Sequence, residues 1–171
     1  MLTLDDILAE WKSERPDLDV SPMAVVGRLS RVAERVASSL SAEHARFGLD
    51  SGSVDVLFTL LRSGSPHALT PSTLARSSMV TTSVVAQRLN RLASAGLVRR
   101  DPDPDDGRGT IVTLTAEGIQ VANELIEPHL RAEERFLGAL DGKQRQQLCE
   151  LLDLLGDREN RPGGAGILRV G

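Results

Sequence analysis

The sequence predicts a mostly α-helical fold carrying one small β-hairpin. Three observations predict it. Aromatic residues are only 2% of the 171 and Tyr is absent, so the core must be built from Leu, Val, Ile and Ala, which favours packed helices. Apolar residues recur at i, i+3, i+4 and i+7 through most of the chain, the period of an amphipathic helix. That period gives way once, after Gly96, to two short runs rich in β-branched residues.

The elements follow in order. Residues 3–14 read as a short helix: Thr3 can cap it, Asp5 and Asp6 suit its positive end, and Leu4, Ile7, Leu8 and Trp11 form one apolar stripe. The segment RPDLDVSP breaks the pattern. A long helix over about 22–45 comes next, with Ser21 as candidate cap, Pro22 in the first turn and a seam of Val25, Leu29, Val32, Val36 and Leu40. Gly48 ends it. A helix over roughly 51–62 turns Val54, Leu57, Phe58 and Leu61 inward. Leu69-Thr70-Pro71 announces a short helix to about 77, since a hydroxyl before Pro is a helix start. After SMV, Thr81 or Thr82 caps a helix to about Ala95, and Gly96 stands where a left-handed residue ends it. The runs LVRR and GTIVTL, joined by DPDPDDGR, read as a hairpin with a long loop. Thr115 caps a helix to about 139 that Pro128 should kink, and Asp141 caps a last helix with an apolar face of Leu148, Leu151, Leu152 and Leu155. Residues 157–171, rich in Gly, read as a flexible tail.

Catalytic chemistry finds no foothold in this pattern. His44, His67 and His129 fall in three different elements, with no HxxxH or HExxH pair, and neither a glycine-rich phosphate loop nor GxSxG is present. The expectation is a protein that is not an enzyme and uses no metal or cofactor. Asp101, Asp103 and Asp105 imitate the start of a calcium loop, but Asp106 and Val112 stand where that loop needs Gly and Glu. Cys149, the single cysteine, excludes an intrachain disulfide and sits on an apolar helix, where a free thiol is normally buried. No apolar run approaches the roughly 20 residues that span a bilayer. The acidic, interrupted MLTLDDILAEW is unlike a secretory signal. A cytoplasmic protein with no membrane partner is expected.

Charge points to a different partner. The chain carries a net −4, yet residues 71–108 hold six Arg against four Asp, so the middle is its basic part. Two short helices followed at once by a hairpin make a winged helix-turn-helix. The second helix can be read by angle: Val85, Leu89 and Leu92 form its core stripe, and at roughly 100° per residue Ser83, Gln87 and Asn90 point away from it. Short polar side chains there can reach base edges, Gln and Asn favouring adenine, while Arg91 at the edge suits a phosphate. Arg88 falls within roughly 60° of the core stripe, so it must pair with an anion, line a cavity or snorkel to water. At the hairpin tip Arg108 suits a narrow minor groove, and Asp106 can hold its guanidinium in orientation. The expected DNA-contacting set is therefore Thr82, Ser83, Gln87, Asn90, Arg91 and Arg108, with Asp106 positioning the wing.

The segment TPSTLARSSMVTTSVVAQRLNRLASAGLVRRDPDPDDGRGTIVTLTAEG, with its Asp106-Gly107-Arg108 wing and following LTAEG, resembles the MarR family of bacterial transcription regulators. The resemblance covers about residues 20–155. It implies a homodimer, formed by the terminal helices, that binds a pseudo-palindromic double-stranded operator and usually represses. The extra N-terminal helix and EWKSERPDLDVSPM resemble the PecS and HucR branch, whose members respond to urate. In that branch a Trp, an Asp and two Arg are implicated in ligand binding, and Trp11, Asp55, Arg88 and Arg100 match those positions here. The resemblance thus implies a small anionic effector, urate-like or a carboxylate. Equally, Trp11 could staple the extra helix to the core, and Asp55 with Arg100 could be a structural ion pair.

The domain organisation this predicts is an extra helix and linker over 1–20, a helical dimerisation region from 21–50 and 115–156, a winged helix-turn-helix lobe over 51–114, and the tail over 157–171. The function expected is a ligand-responsive DNA-binding repressor. Two alternatives stay open at this point: a protein-interaction module that kept the winged fold without binding DNA, and a thiol-based redox sensor acting through Cys149.

Overall fold

The structure, a computed structural model, describes residues 2–78, 81–103 and 109–156, with Thr82 described in its backbone only. Among the described residues there are seven helices and three short strands. The chain divides after Glu133 into two compact units, 1–133 and 134–171.

In the first unit α1 (Leu4–Glu14) begins at Thr3, which makes a reciprocal capping box with Asp6. The long helix α2 (Ser21–Ala45) follows, but Ser21 is not its cap. Val20 holds the cap position without a side-chain bond. The amide and hydroxyl of Ser21 both go to the Asp19 carboxylate at 2.9 Å, because an Asp two residues ahead turns the chain by itself. Helix α3 (Ser51–Arg62) starts at Asp50, whose carboxylate accepts the Ser53 amide at 2.9 Å. Thr70 caps α4 (Pro71–Ser77) as the Thr-Pro pair predicts. At the start of α5 (Thr82–Ser94) Thr81 has the extended backbone of a cap, but its hydroxyl bonds to Ser83 Oγ at 2.9 Å rather than to a backbone amide. Gly96 ends α5 at φ +73°.

Strands β2 (Val98–Pro102) and β3 (Thr110–Leu114) form the predicted hairpin, in register from Val98 against Leu114 to Pro102 against Thr110. Its tip, with Asp106 and Arg108, lies outside the described residues. A two-residue strand that the sequence reading missed, β1 (Ala68–Leu69), pairs with the other edge of β3. Thr115 caps α6 (Ala116–Leu137) through the Gly118 amide at 3.0 Å, and α6 continues through Pro128 as one helix.

The core of this unit joins α3, α4, α5 and the sheet. Leu57, Leu60, Leu74, Val85 and Val112 are fully buried, and Leu89, Leu92 and Ala122 close the cluster. Each such leucine stabilises the fold by about 2–3 kcal/mol relative to exposure. Helix α5 is thus held on the core by its apolar stripe, leaving Ser83, Gln87 and Asn90 on the exposed face.

In the second unit Asp141 caps α7 (Gly142–Gly156) by accepting the Gln144 amide, while Gln144 accepts the Asp141 amide. Arg145 bonds both Glu134 oxygens, at 2.8 and 2.7 Å, and the carbonyls of Leu137 and Leu140. It satisfies backbone acceptors that the end of α6 leaves open. No residue of α7 is buried in the single chain. Cys149, expected inside, is exposed, because its helix turns no face into a core of this unit. The tail over 157–171 lies outside the described residues.

Candidate functional site

Two features of the first unit bear on function: the outer face of α5, and a cavity behind α3. On α5 Val85, Leu89 and Leu92 are at most 1% exposed. Ser83, Gln87 and Asn90 are exposed on the other side, the division that the angle argument predicts. Asn90 is not idle there. Its Oδ1 accepts from Arg100 Nη2 at 2.8 Å, which fixes the amide so that its NH2 group is left to face solvent. Arg100 also reaches the Ala86 carbonyl at 3.4 Å. It therefore lies along α5, and its neighbour Arg99 pairs with Asp101.

The two arginines of α5 both reach back to α3. Arg88 pairs with Asp55, Nη1 to Oδ2, at 3.4 Å, with its side chain 21% exposed. This gives the inward Arg88 its anion. Gly52 leaves room for this placement: a Cβ at that position would stand 2.5 Å from Arg88 Nε. Arg91, expected to be available to a phosphate, bonds Asp50 Oδ2 at 2.5 Å. Burial pushes the Asp50 carboxyl up, but the Ser53 amide and the Arg91 guanidinium outweigh it and hold the group below its ordinary value.

Behind this brace lies a cavity of about 560 Å³. Its walls are Ala33, Val36, Ala37 and Leu40 of α2 with Val54 and Phe58 of α3. Its polar groups are His44, Ser51, Asp55 and His129. His44 is 3% exposed. Its Nδ1 bonds Ser51 Oγ at 2.9 Å and its Nε2 bonds His129 Nδ1 at 3.0 Å, with the two rings stacked. His129 in turn faces Glu133 at 3.2 Å. Burial, then the neighbouring His129, lowers the His44 pKa against a small opposing pull from Glu43.

Of the four expected effector residues, the structure brings Asp55 and Arg88 together. It does not bring in the other two within one chain: Arg100, on β2, bonds Asn90 of α5, and Trp11 shares a shallow cleft on α1 with Glu10 and Glu14. Thr82 begins α5, and Asp106 and Arg108 lie outside the described residues. Sequence reasoning missed Asp50 and the His44–His129 pair. An Asp three residues before Ser53 at a helix start was a readable signal. Nothing in the sequence links two histidines 85 positions apart. Among the described residues no group of His, Cys, Asp or Glu converges to hold a metal, and no helix is long and apolar enough to cross a membrane.

A polar face on the second helix of a helix-turn-helix, backed by a two-stranded wing, defines a DNA-binding transcription regulator. The family model described as MarR family matches residues 47–109. The HTH-type transcriptional regulator PecS of Dickeya dadantii (strain 3937) is 37% identical over 151 residues, 88% of this chain and 91% of that protein. Two solved structures share the fold. Sco3205 of Streptomyces coelicolor, a MarR family regulator in complex with DNA, matches with a TM-score of 0.77 at 23% identity, over 86% of this chain and 93% of that one. BpsR of Bordetella bronchiseptica, whose DNA binding is regulated by 6-hydroxynicotinic acid, matches with a TM-score of 0.68 at 22% identity, over 78% and 98% of the two chains. The chain belongs to the MarR family of transcriptional regulators.

Proposed function

We propose that this protein is a repressor that works as a homodimer on a pseudo-palindromic operator and is released by a small anionic effector of the urate type. The observation that carries the DNA-binding part is the outer face of α5, where Ser83, Gln87 and Asn90 stand clear of a stripe buried to within 1% of complete exclusion. In the dimer two such helices enter successive major grooves about 34 Å apart. Arg108 at the wing tip takes the minor groove, with Asp106 orienting it. Residues 21–50 and 115–156 supply the dimer contacts and 51–114 the DNA-binding lobe.

The effector part rests on the cavity and the Arg88–Asp55 pair. The cavity is apolar enough to hold a flat ring, and Asp55 belongs both to its lining and to the tie on α5. An anion that draws Arg88 away from Asp55 releases α5 from α3 and moves the reading face. Sco3205, in complex with DNA, and BpsR, regulated by 6-hydroxynicotinic acid, support the two halves of this reading by likeness of fold.

The test is a gel shift with the DNA upstream of the protein's own gene, with and without urate. A discrete complex should form and urate should dissolve it. Gln87→Ala and Arg108→Ala should each weaken binding about tenfold or more. Arg88→Ala should leave a folded protein whose complex no longer responds to urate. Retained release in that variant would show that the effector acts elsewhere.

A further inference from the structure

We propose that Asp50 is a positioning residue for DNA binding, acting as an internal stand-in for phosphate that holds Arg91 until DNA takes it. The proposal rests on the DNA-binding reading above and adds a competitor to it. Asp50 has two jobs in the free protein. One oxygen, Oδ1, caps α3 by accepting the Ser53 amide at 2.9 Å. The other, Oδ2, accepts Arg91 Nη1 at 2.5 Å and also lies 3.3 Å from Ser53 Oγ. The cap anchors the carboxylate, so Arg91 rather than Asp50 is the partner that can leave.

The geometry suits an exchange. Arg91 stands one position after Asn90 on the edge of the reading face, with its side chain 63% exposed against 46% for Asp50. An ion pair this open to water is a weak tie. A DNA phosphate offers the guanidinium an equivalent two-oxygen partner within a much stronger field. Binding therefore trades the Asp50 contact for a phosphate contact, and the cost of the trade is set by Asp50. The carboxylate meanwhile stays on its cap, so α3 is undisturbed when Arg91 moves.

The substitution that isolates this role is Asp50→Asn, because Asn caps a helix about as well as Asp. Wild type, Asp50→Asn, Arg91→Gln and the double variant are each measured for binding to one fluorescent duplex from the upstream region across a salt series. Asp50→Asn should bind about two- to fivefold more tightly. Its log affinity should fall more steeply with log salt, by up to about one in slope. Arg91→Gln should bind more weakly, and adding Asp50→Asn to it should bring no further gain, because the carboxylate then has no arginine to hold. Equal melting temperatures for wild type and Asp50→Asn establish that the cap survives. If Asp50→Asn lowers that temperature, Asp50→Ser provides a second cap-competent variant for the same cycle.

An equal gain in both backgrounds overturns the proposal, since Asp50 would then act only by repelling DNA. A loss of affinity in Asp50→Asn also overturns it, because Asp50 would be presenting Arg91 rather than withholding it. Wild-type protein that binds no duplex at any salt removes the DNA-binding reading, and this proposal with it. Wild-type binding with the wrong coupling removes this proposal alone.

Discussion

His44 shows how much one buried side chain can set. Both its ring nitrogens are committed, to Ser51 and to His129, and burial lowers its pKa from the ordinary value. The folded state therefore prefers the neutral ring more than the unfolded chain does. Stability from this preference is fully present above the unfolded value of about 6.5 and is lost as the pH falls towards the lower folded value. Urea midpoints should accordingly drop between pH 7.5 and pH 5.5, and His44→Gln should flatten that drop. A midpoint in the variant with the same pH dependence would assign the effect to other groups. At this scale the sequence told which way Arg88, Gln87 and Asn90 face, since angle follows from position. It did not tell their partners. Arg91 to Asp50 and Arg100 to Asn90 are set by how close α3 and β2 come to α5, which no local pattern encodes.

At the scale of elements, the junction of β2 and α6 leaves less room for a side chain than any other described glycine position. A Cβ on Gly118 would lie 2.0 Å from the Leu97 carbonyl oxygen. That carbonyl already accepts the Thr115 amide at 3.1 Å, and Thr115 Oγ1 donates to the Gly96 carbonyl at 2.7 Å. The obstruction is backbone, which cannot swing aside as a side chain can. Gly118→Ala should therefore cost at least about 1–3 kcal/mol in chemical denaturation. Gly142, at the start of α7 with nothing within 4 Å of an added methyl, should accept Ala with no loss and a gain of up to about 1 kcal/mol. Helices were legible in the sequence where caps and periodicity agree, as at Thr3, Thr70, Thr115 and Asp141. Strand β1 was not, because two residues carry no period. The cap at Ser21 was misread because its amide and hydroxyl both donate to the Asp19 carboxylate, and Val20 takes the cap position instead.

For the whole molecule, the apolar surface left on a single chain calls for a partner. On α2 Val25 and Val26 are 63% and 61% exposed, and in the second unit Leu151 and Leu154 of α7 are 60% and 64% exposed. Surface of that kind rarely stays in water without an interface. Light scattering after gel filtration should give twice the chain mass of 18.4 kDa. Leu151→Glu with Leu154→Glu should halve that mass or leave the protein insoluble. A stable, monodisperse monomer of the unaltered chain would remove the dimer. Spacing in the sequence marked Val25 and Leu151 as members of apolar stripes but not Val26 or Leu154, and which of these residues meet across a partner depends on a second copy.

Gly52 gives the regulatory reading a handle that involves no charge at all. The space its missing side chain leaves is the space that the Arg88 guanidinium fills. A single methyl there forces the Arg88 guanidinium to shift while Asp55, Arg88 and the cavity walls keep their chemistry. Gly52→Ala should thus mimic a permanently occupied effector site: operator affinity reduced from the start, and little further reduction when urate is added. A single missing methyl group at position 52 would then decide how far operator binding answers to the effector.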